Sequence, residues 1–507
     1  MRSKNAAKNL VLYMGYEALV FLLGIIFPRY VILAYGSEIN GLTSTITRVL
    51  SLINLLQAGT VGAAIFQMYK PVAEDDYEMQ SSILYTSRKY YKRITVIYFA
   101  LALCCGFFYG FYLQSVTLSF TEIFVSFVIL AVNGSGTLLV RSVCDIYISP
   151  HQKKYYLILS QILEQIVRYG YIAVSLVFKL KFVHIYIAYL LGGSVGLLMD
   201  FWFYKRLSKG KICKDPKDKK YKIPDKSYLM MQSIGSESIA VSPSIIITTF
   251  INLVQASVFS VYSMIYSSMK TILNSIQLSF SAIFGNVVKT SKSEHIYNVY
   301  SVIELITIML GTVLSVCVGF LMEPFIKLYT LGVTDAEYLY QILVVFVVCF
   351  TVAFTFSTSF GFVATVYGLF KVTCKITMLF SSIGILISLV CTMLFGMPYV
   401  MCGLIFYQVG SSVAILIELK KNINWFETHN LFRRTIVLIF FSITGLVSYY
   451  VFSPCIESWF SWAVWGCFIA ATTSILLMFY CLLFERKQLV VIFEYARNLV
   501  KKERNEC

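Results

Sequence analysis

Apolar residues fall along this chain in long unbroken blocks; they neither alternate nor recur on one face of a short helix. Charge-free runs cover residues 49–69, 94–121, 338–370, 435–456 and 458–484. A helix that crosses hydrocarbon needs about 20 mainly apolar residues, and each run meets that length. The run 376–417 is 42 residues long, enough for two spans, and Gly396-Met397-Pro398 supplies a turn within it. Divided in this way, the sequence predicts about 14 helices, near 10–33, 41–69, 93–113, 117–143, 155–178, 183–204, 228–252, 257–288, 298–322, 337–366, 372–395, 399–419, 433–453 and 459–483.

Composition turns this pattern into a fold class. Of the 507 residues, 58% are hydrophobic and 13% charged, with a mean hydropathy of +0.74; soluble domains are about 45–50% apolar and about 25% charged. The chain is therefore expected to be an all-α polytopic membrane protein. A cytosolic enzyme, a secreted disulfide scaffold and a nucleic-acid-binding module are excluded. Arg2, Lys4 and Lys8 precede a run long enough to be the first span, so no cleavable signal is expected. The 13 cysteines lie mostly in apolar runs, and the four histidines are scattered. Neither a metal site nor a cofactor is expected.

The net charge of +16 reads as topology once it is counted loop by loop. Of the 42 basic residues, 35 fall on one side of the predicted spans, four (Arg29, Lys179, Lys181, Lys327) on the other, and three (Arg48, Arg168, Lys270) within spans. The crowded side is the cytoplasmic one, and it holds both termini. Outer loops are short and the largest inner loop is too small to fold alone, so any function lies among the helices.

That largest loop divides the chain after six spans. The expected organisation is an N-terminal lobe over 1–204, a basic cytoplasmic linker over 205–227 suited to lying near anionic lipid, a C-terminal lobe over 228–425, two further spans over 426–485 and a cytoplasmic tail over 486–507. A faint internal echo supports two pseudo-symmetric six-helix lobes. Pro28 and Pro243 are each followed by an apolar run and a turn, with the next span starting thirteen residues on, at Gly41 and near Ala256. An even number of spans per lobe makes this a parallel repeat, and transporters of that kind place their substrate site between the lobes.

Ionisable groups within spans are costly, and by default they mark pathways or pairs. The candidates are Glu17, Arg48, Glu164, Arg168, Glu237, Lys270 and Glu304. Glu164 and Arg168 have the i, i+4 spacing of an intrahelical pair. Arg48 and Lys270 have no acid at i±3 or i±4. They must meet an anionic ligand, water, or an acid on another helix such as Glu17 or Glu237. Arg141, Asp145 and Asp200 are placed near the cytoplasmic interface, where snorkelling suffices. Gly106-x3-Gly110 and Gly192-x3-Gly196 read as close helix contacts. Walker, Rossmann, HExxH and hydrolase-triad patterns are missing, and no enzymatic activity is expected.

The stretch from Pro28 to Asp76 adds something more specific. Tyr35, Gly36, Glu38, Asn40, Gly41 and Leu42 form a turn, Gly59 lies in the segment after it, and Tyr69-Lys70-Pro71 precedes a run of acids. This resembles the N-terminal signature of bacterial polysaccharide flippases of the Wzx type, in the superfamily that includes drug-efflux MATE proteins and lipid II flippases. The segment from Val261-Tyr262-Ser263 to Phe284-Gly285 resembles that family's eighth helix. The resemblance implies transfer of an undecaprenyl-diphosphate-linked oligosaccharide across the bacterial cytoplasmic membrane, by lobe rocking around a cationic cavity. Envelope-synthesis proteins such as a polysaccharide polymerase are the implied partners, and capsule or O-antigen an implied product. Carried onto this chain, Arg48 and Lys270 match the diphosphate-holding cations, Arg29 is a weaker third, and Glu17 or Glu237 is a candidate for ion coupling. The competing reading is a MATE-like ion-coupled antiporter of small cationic compounds, anchored by an acid such as Glu17.

Overall fold

A computed structural model of the chain describes residues 2–57, 60–115, 118–209, 212, 227–452, 454 and 456–490. Gly59, most of the basic linker and the tail beyond residue 490 lie outside the described residues. All regular structure among the described residues is helical. The helices are α1 (Arg2–Tyr35), α2 (Ser37–Ile53), α3 (Thr60–Ala73), α4 (Tyr77–Tyr112), α5 (Phe120–Gly136), α6 (Ser142–Ile148), α7 (Tyr155–Val177), α8 (Val183–Ser208), α9 (Ser227–Phe250), α10 (Leu253–Thr290), α11 (Ser293–Tyr329), α12 (Gln341–Val366), α13 (Phe370–Phe395), α14 (Met401–Asn422), α15 (His429–Phe452) and α16 (Trp459–Phe484).

Among the described residues, ten helical segments are long and apolar enough to cross a membrane, or eleven if α2 and α3 count as one broken span. Each of the fourteen expected spans corresponds to one of the sixteen helices or to a consecutive pair of them. The three that fall outside the count of eleven, α7, α9 and α10, are 23, 24 and 38 residues long and richer in polar side chains. The fold is thus an all-α, multi-pass membrane fold.

In hydrocarbon only helices satisfy their own backbone, and water no longer rewards burying large apolar side chains. α13 illustrates the consequence. Its buried positions are Thr373, Cys374, Thr377, Ser381, Gly384, Ser388 and Thr392, whereas Leu379, Leu386, Val390 and Met393 are exposed. Small residues let backbones meet: a Cβ on Gly403 of α14 would lie 2.0 Å from the Gly384 carbonyl oxygen. The Ser388 hydroxyl donates to the Val400 carbonyl at 2.8 Å. The run 376–417 divides where expected, at Gly396, whose φ of +95° favours glycine.

The chain forms two compact units, Met1–Ser260 with Val333–Ala336, and Val261–Gly332 with Glu337–Cys507. In the first unit one apolar cluster is built around Leu42, Ile46, Tyr98, Phe127 and Tyr186. A second gathers Met68, Leu84, Tyr91, Ile146 and Tyr147. In the second unit Phe284, Tyr300, Phe362 and Leu431 anchor one cluster, and Phe320, Leu321 and Ile456 another. Spans α15 and α16 pack tightly here: a Cβ on Gly445 would lie 2.9 Å from Val316 Cα of α11, and the Trp462 indole donates to the Leu321 carbonyl at 3.1 Å.

The two turns that echo each other in sequence meet inside the first unit. Pro28 and Pro243 each stand seven residues before the last residue of their helix, α1 and α9. The Asn40 amide, just after the first turn, donates to the hydroxyls of Ser257 at 2.8 Å and Ser260 at 3.1 Å, just after the second. Thr45 and Thr248 share a hydrogen bond of 2.6 Å.

Candidate functional site

Arg48 lies on a polar stripe of α2. The buried face of that helix is Leu42, Thr45, Ile46, Val49 and Ile53. Ser44, Thr47, Arg48 and Ser51 follow one another at helical spacing on a different face, half-buried or exposed. The hydroxyls of Thr47 and Ser51 are spent on carbonyls of their own helix, and the Arg48 guanidinium is the charged donor of this stripe. Among the described residues no acid pairs with it. Lys270 has the corresponding setting in the second unit. It is half-buried on α10, with Ser267, Thr271 and Asn274 at neighbouring helical positions. Ser267 and Thr271 again donate to their own helix, and among the described residues no acid pairs with Lys270.

Eight other charges are neutralised in two clusters that the sequence reading only partly anticipated. In the first unit the expected Glu164–Arg168 pair exists, but it belongs to a group of four. Arg141 donates to Glu164 at 2.7 Å and to Asp200 at 2.8 Å, and the Ser160 hydroxyl donates to Asp200. Asp200 is completely buried. The snorkelling expected of Arg141 and Asp200 is therefore replaced by inward pairing. Two local features produce it. A π-helical turn at Thr137–Arg141, closed by the Ser142 N–H on the Thr137 carbonyl, reorients the side chains around Arg141. Gly192 and Gly196 remove the side chains that would fill the space: a Cβ on Gly196 would lie 2.9 Å from Glu164 Oε2 and 3.0 Å from Arg141 Nη2. Asp200 continues that glycine stripe by one more step of four, a sequence signal that could have found it.

The second unit holds an analogous group. Arg434, counted among the loop cations at the edge of the expected span 433–453, lies in α15 and is fully buried. It donates to Glu304 at 2.8 Å, to both oxygens of Glu485 at 2.7 and 3.0 Å, and to the Ser301 carbonyl and hydroxyl at 2.8 and 3.1 Å. Arg433 pairs with Glu485 as well. Burial pushes the Glu485 carboxyl up, but hydrogen bonds and charge from Arg434 and Arg433 outweigh it and leave the group below its ordinary 4.5. Both clusters hold two cations and two carboxylates and are neutral.

The remaining candidates separate clearly. Glu17 is half-buried on α1 and bonded to the Tyr13 hydroxyl. Arg29 is half-buried and partnered, and Glu237 is exposed on α9. No group of three or more His, Cys, Asp or Glu able to hold a metal occurs among the described residues.

No protein-family profile matches the sequence, and no curated protein is similar to it in sequence. Solved structures are similar in fold. The lipid II flippase MurJ in an inward closed conformation aligns with a TM-score of 0.68 at 14% identity, over 94% of this chain and 99% of that one. A multidrug resistance MATE family transporter in its inward-facing conformation aligns with a TM-score of 0.61 at 13% identity, over 80% and 96%. A MATE protein in a bent conformation gives 0.54 at 12%, over 88% and 98%. The fold is therefore MATE-like.

Proposed function

We propose that this chain is a flippase that carries an undecaprenyl-diphosphate-linked oligosaccharide across a bacterial cytoplasmic membrane for surface polysaccharide synthesis, with Arg48 and Lys270 as ligands of the diphosphate. One observation carries the reading. Among the described residues Arg48 and Lys270 stand on polar helical stripes without an acidic partner, while the charges of the two clusters are neutralised. An unpaired cation within a span costs roughly 3 kcal/mol on insertion scales, and a bound anion offsets that cost. A diphosphate carries about two negative charges and is matched by two cations. Arginine grips phosphate oxygens in a fork, and lysine meets them as a point charge. The prenyl tail stays in lipid throughout. Arg29 is a third, weaker candidate for the same role. Glu17, half-buried, suits a coupling ion better than the exposed Glu237. Both termini on the cytoplasmic side, lobes over 1–204 and 228–425, and delivery to a polysaccharide polymerase complete the proposal.

The likeness in fold to MATE transporters favours a second reading, an ion-coupled antiporter of small cationic compounds. Two unpaired cations oppose cationic cargo, and this reading ranks below the first.

The test uses proteoliposomes holding a short fluorescent prenyl-diphosphate oligosaccharide. The rate at which inner-leaflet glycan becomes open to an external glycosidase is compared for the unaltered chain and Lys270→Ala. Fast exposure that is lost in the variant supports the flippase. Exposure no faster than in empty liposomes, with proton and sodium gradients imposed, rejects it, and efflux of a cationic dye then tests the antiporter.

A further inference from the structure

In the first unit a cavity of about 570 Å³ opens between α4, α8 and the segment joining α5 to α6. Arg88 and Lys92, four residues apart on one face of α4, and Lys205 of α8 line it together with Tyr204, Val143 and Phe201. All three cations are exposed. Among the described residues none of them pairs with an acid. Arg88 is held in place: its Nη2 donates to the Tyr204 hydroxyl at 2.6 Å, and its guanidinium stands 5.4 Å from the centre of that ring. Its other N–H donors remain available. The opposite wall is apolar and continues onto outward-facing surface, since Phe201 and Leu139 are themselves exposed.

A cavity with three unpaired cations on one side and an outward apolar wall on the other suits a ligand that is anionic at one end and hydrocarbon at the other. A soluble anion leaves the apolar wall wet, and an uncharged lipid leaves the cations unanswered. Beside the cavity, exposed Trp202 carries Arg206 over its ring at 5.4 Å, an aromatic and basic pairing typical of headgroup depth. Basic pockets between spans at that level hold lipid headgroups. We propose that this cavity binds the phosphate headgroup of an anionic phospholipid from the adjoining leaflet. The site is separate from Arg48 and Lys270 and does not depend on what the chain transports.

The test is native mass spectrometry of the delipidated full-length protein titrated with dioleoyl phosphatidylglycerol or dioleoyl phosphatidylcholine. At least one phosphatidylglycerol is expected to bind tenfold or more tightly than phosphatidylcholine. The triple variant Arg88→Gln, Lys92→Gln, Lys205→Gln is expected to lose that preference. The charge-matched control Lys89→Gln, Arg93→Gln, Lys209→Gln, on α4 and at the end of α8 but outside the cavity lining, is expected to keep it. Because the altered side chains are exposed, an unchanged melting temperature certifies each fold. Four results overturn the proposal: a triple variant that retains the preference, a control that loses it equally, displacement by equimolar inorganic phosphate, or displacement by an equimolar short-chain prenyl diphosphate. The third assigns the cavity to soluble anions and the fourth to the transported class of lipid.

Discussion

The carboxylate of Asp335 accepts two hydrogen bonds from Ser37, from its backbone N–H at 2.6 Å and its hydroxyl at 2.9 Å, across 298 positions of sequence. Gly36, with φ at +85°, precedes α2 and offers no side chain to cap it. Asp335 supplies the cap from the loop between α11 and α12, and residues Val333–Ala336 belong to the first compact unit. A helix cap is worth about 1 kcal/mol, or about fivefold in a local opening equilibrium. Asp335→Ala is expected to speed amide exchange at Ser37–Ile39 about fivefold, read by hydrogen–deuterium exchange. An unchanged rate shows the cap to be idle.

Gly41 sits where α2 meets the start of α10, and a Cβ there would stand 1.9 Å from the Leu253 carbonyl oxygen. Backbone cannot yield as a flexible side chain does. Gly41→Ala is expected to lower the melting temperature in detergent by several degrees. Gly15→Ala, where a Cβ meets nothing within 4 Å, is expected to leave it unchanged.

Removing one partner from a buried ion cluster strands another. Asp200→Ala leaves Arg141 half-neutralised and is expected to cost about 3–5 kcal/mol. The double change Arg141→Leu, Asp200→Leu removes both charges and is expected to cost less than Asp200→Ala alone. Thermal unfolding of the two variants side by side checks the order, and the reverse order removes the cluster's claim to be electrostatic.

Glu485 gives the second unit a dependence on acid. Its folded pKa lies below the ordinary 4.5, so its contribution to stability is complete above that value and is lost as pH falls through the folded pKa. The melting temperature of the unaltered protein is expected to drop below about pH 4.5 more steeply than that of Glu485→Gln, which is already weakened at neutral pH. Parallel acid profiles count against the assignment.

If Lys270 meets a diphosphate, charge matters more than shape. Lys270→Arg is expected to keep a substantial part of the flipping rate, Lys270→Ala to lose tenfold or more, and Lys270→Glu to abolish it, with membrane levels of all three unchanged on immunoblots. Equal rates for the glutamate and arginine variants eliminate the role.

The all-helical, multi-pass character, the position of the Gly396 turn and the glycine contacts were legible because each rests on local composition. The burial of Arg434 was not: Arg433 and Arg434 read as the basic edge of a loop, and nothing near them in sequence announces Glu304 or Glu485. Asp200 was half-legible, since it extends the Gly192, Gly196 stripe that turns toward Glu164, but the π-helical turn that brings Arg141 to it has no signature in Thr137–Arg141. Arg48 stood out for its lack of local acids, and its polar stripe was already written in Ser44, Thr47 and Ser51. What covers that stripe depends on groups far apart in sequence.

The Arg434 cluster also imposes an order of events on a chain threaded into the membrane as it is made. Glu304 precedes Arg434 by 130 residues and Glu485 follows it by 51. When α15 enters the bilayer, Arg433 and Arg434 find a single carboxylate waiting. The second arrives only after α16 has been synthesised and inserted. Until then the nascent protein carries one excess positive charge at this spot, so the cluster closes only when α15 and α16 are both in place.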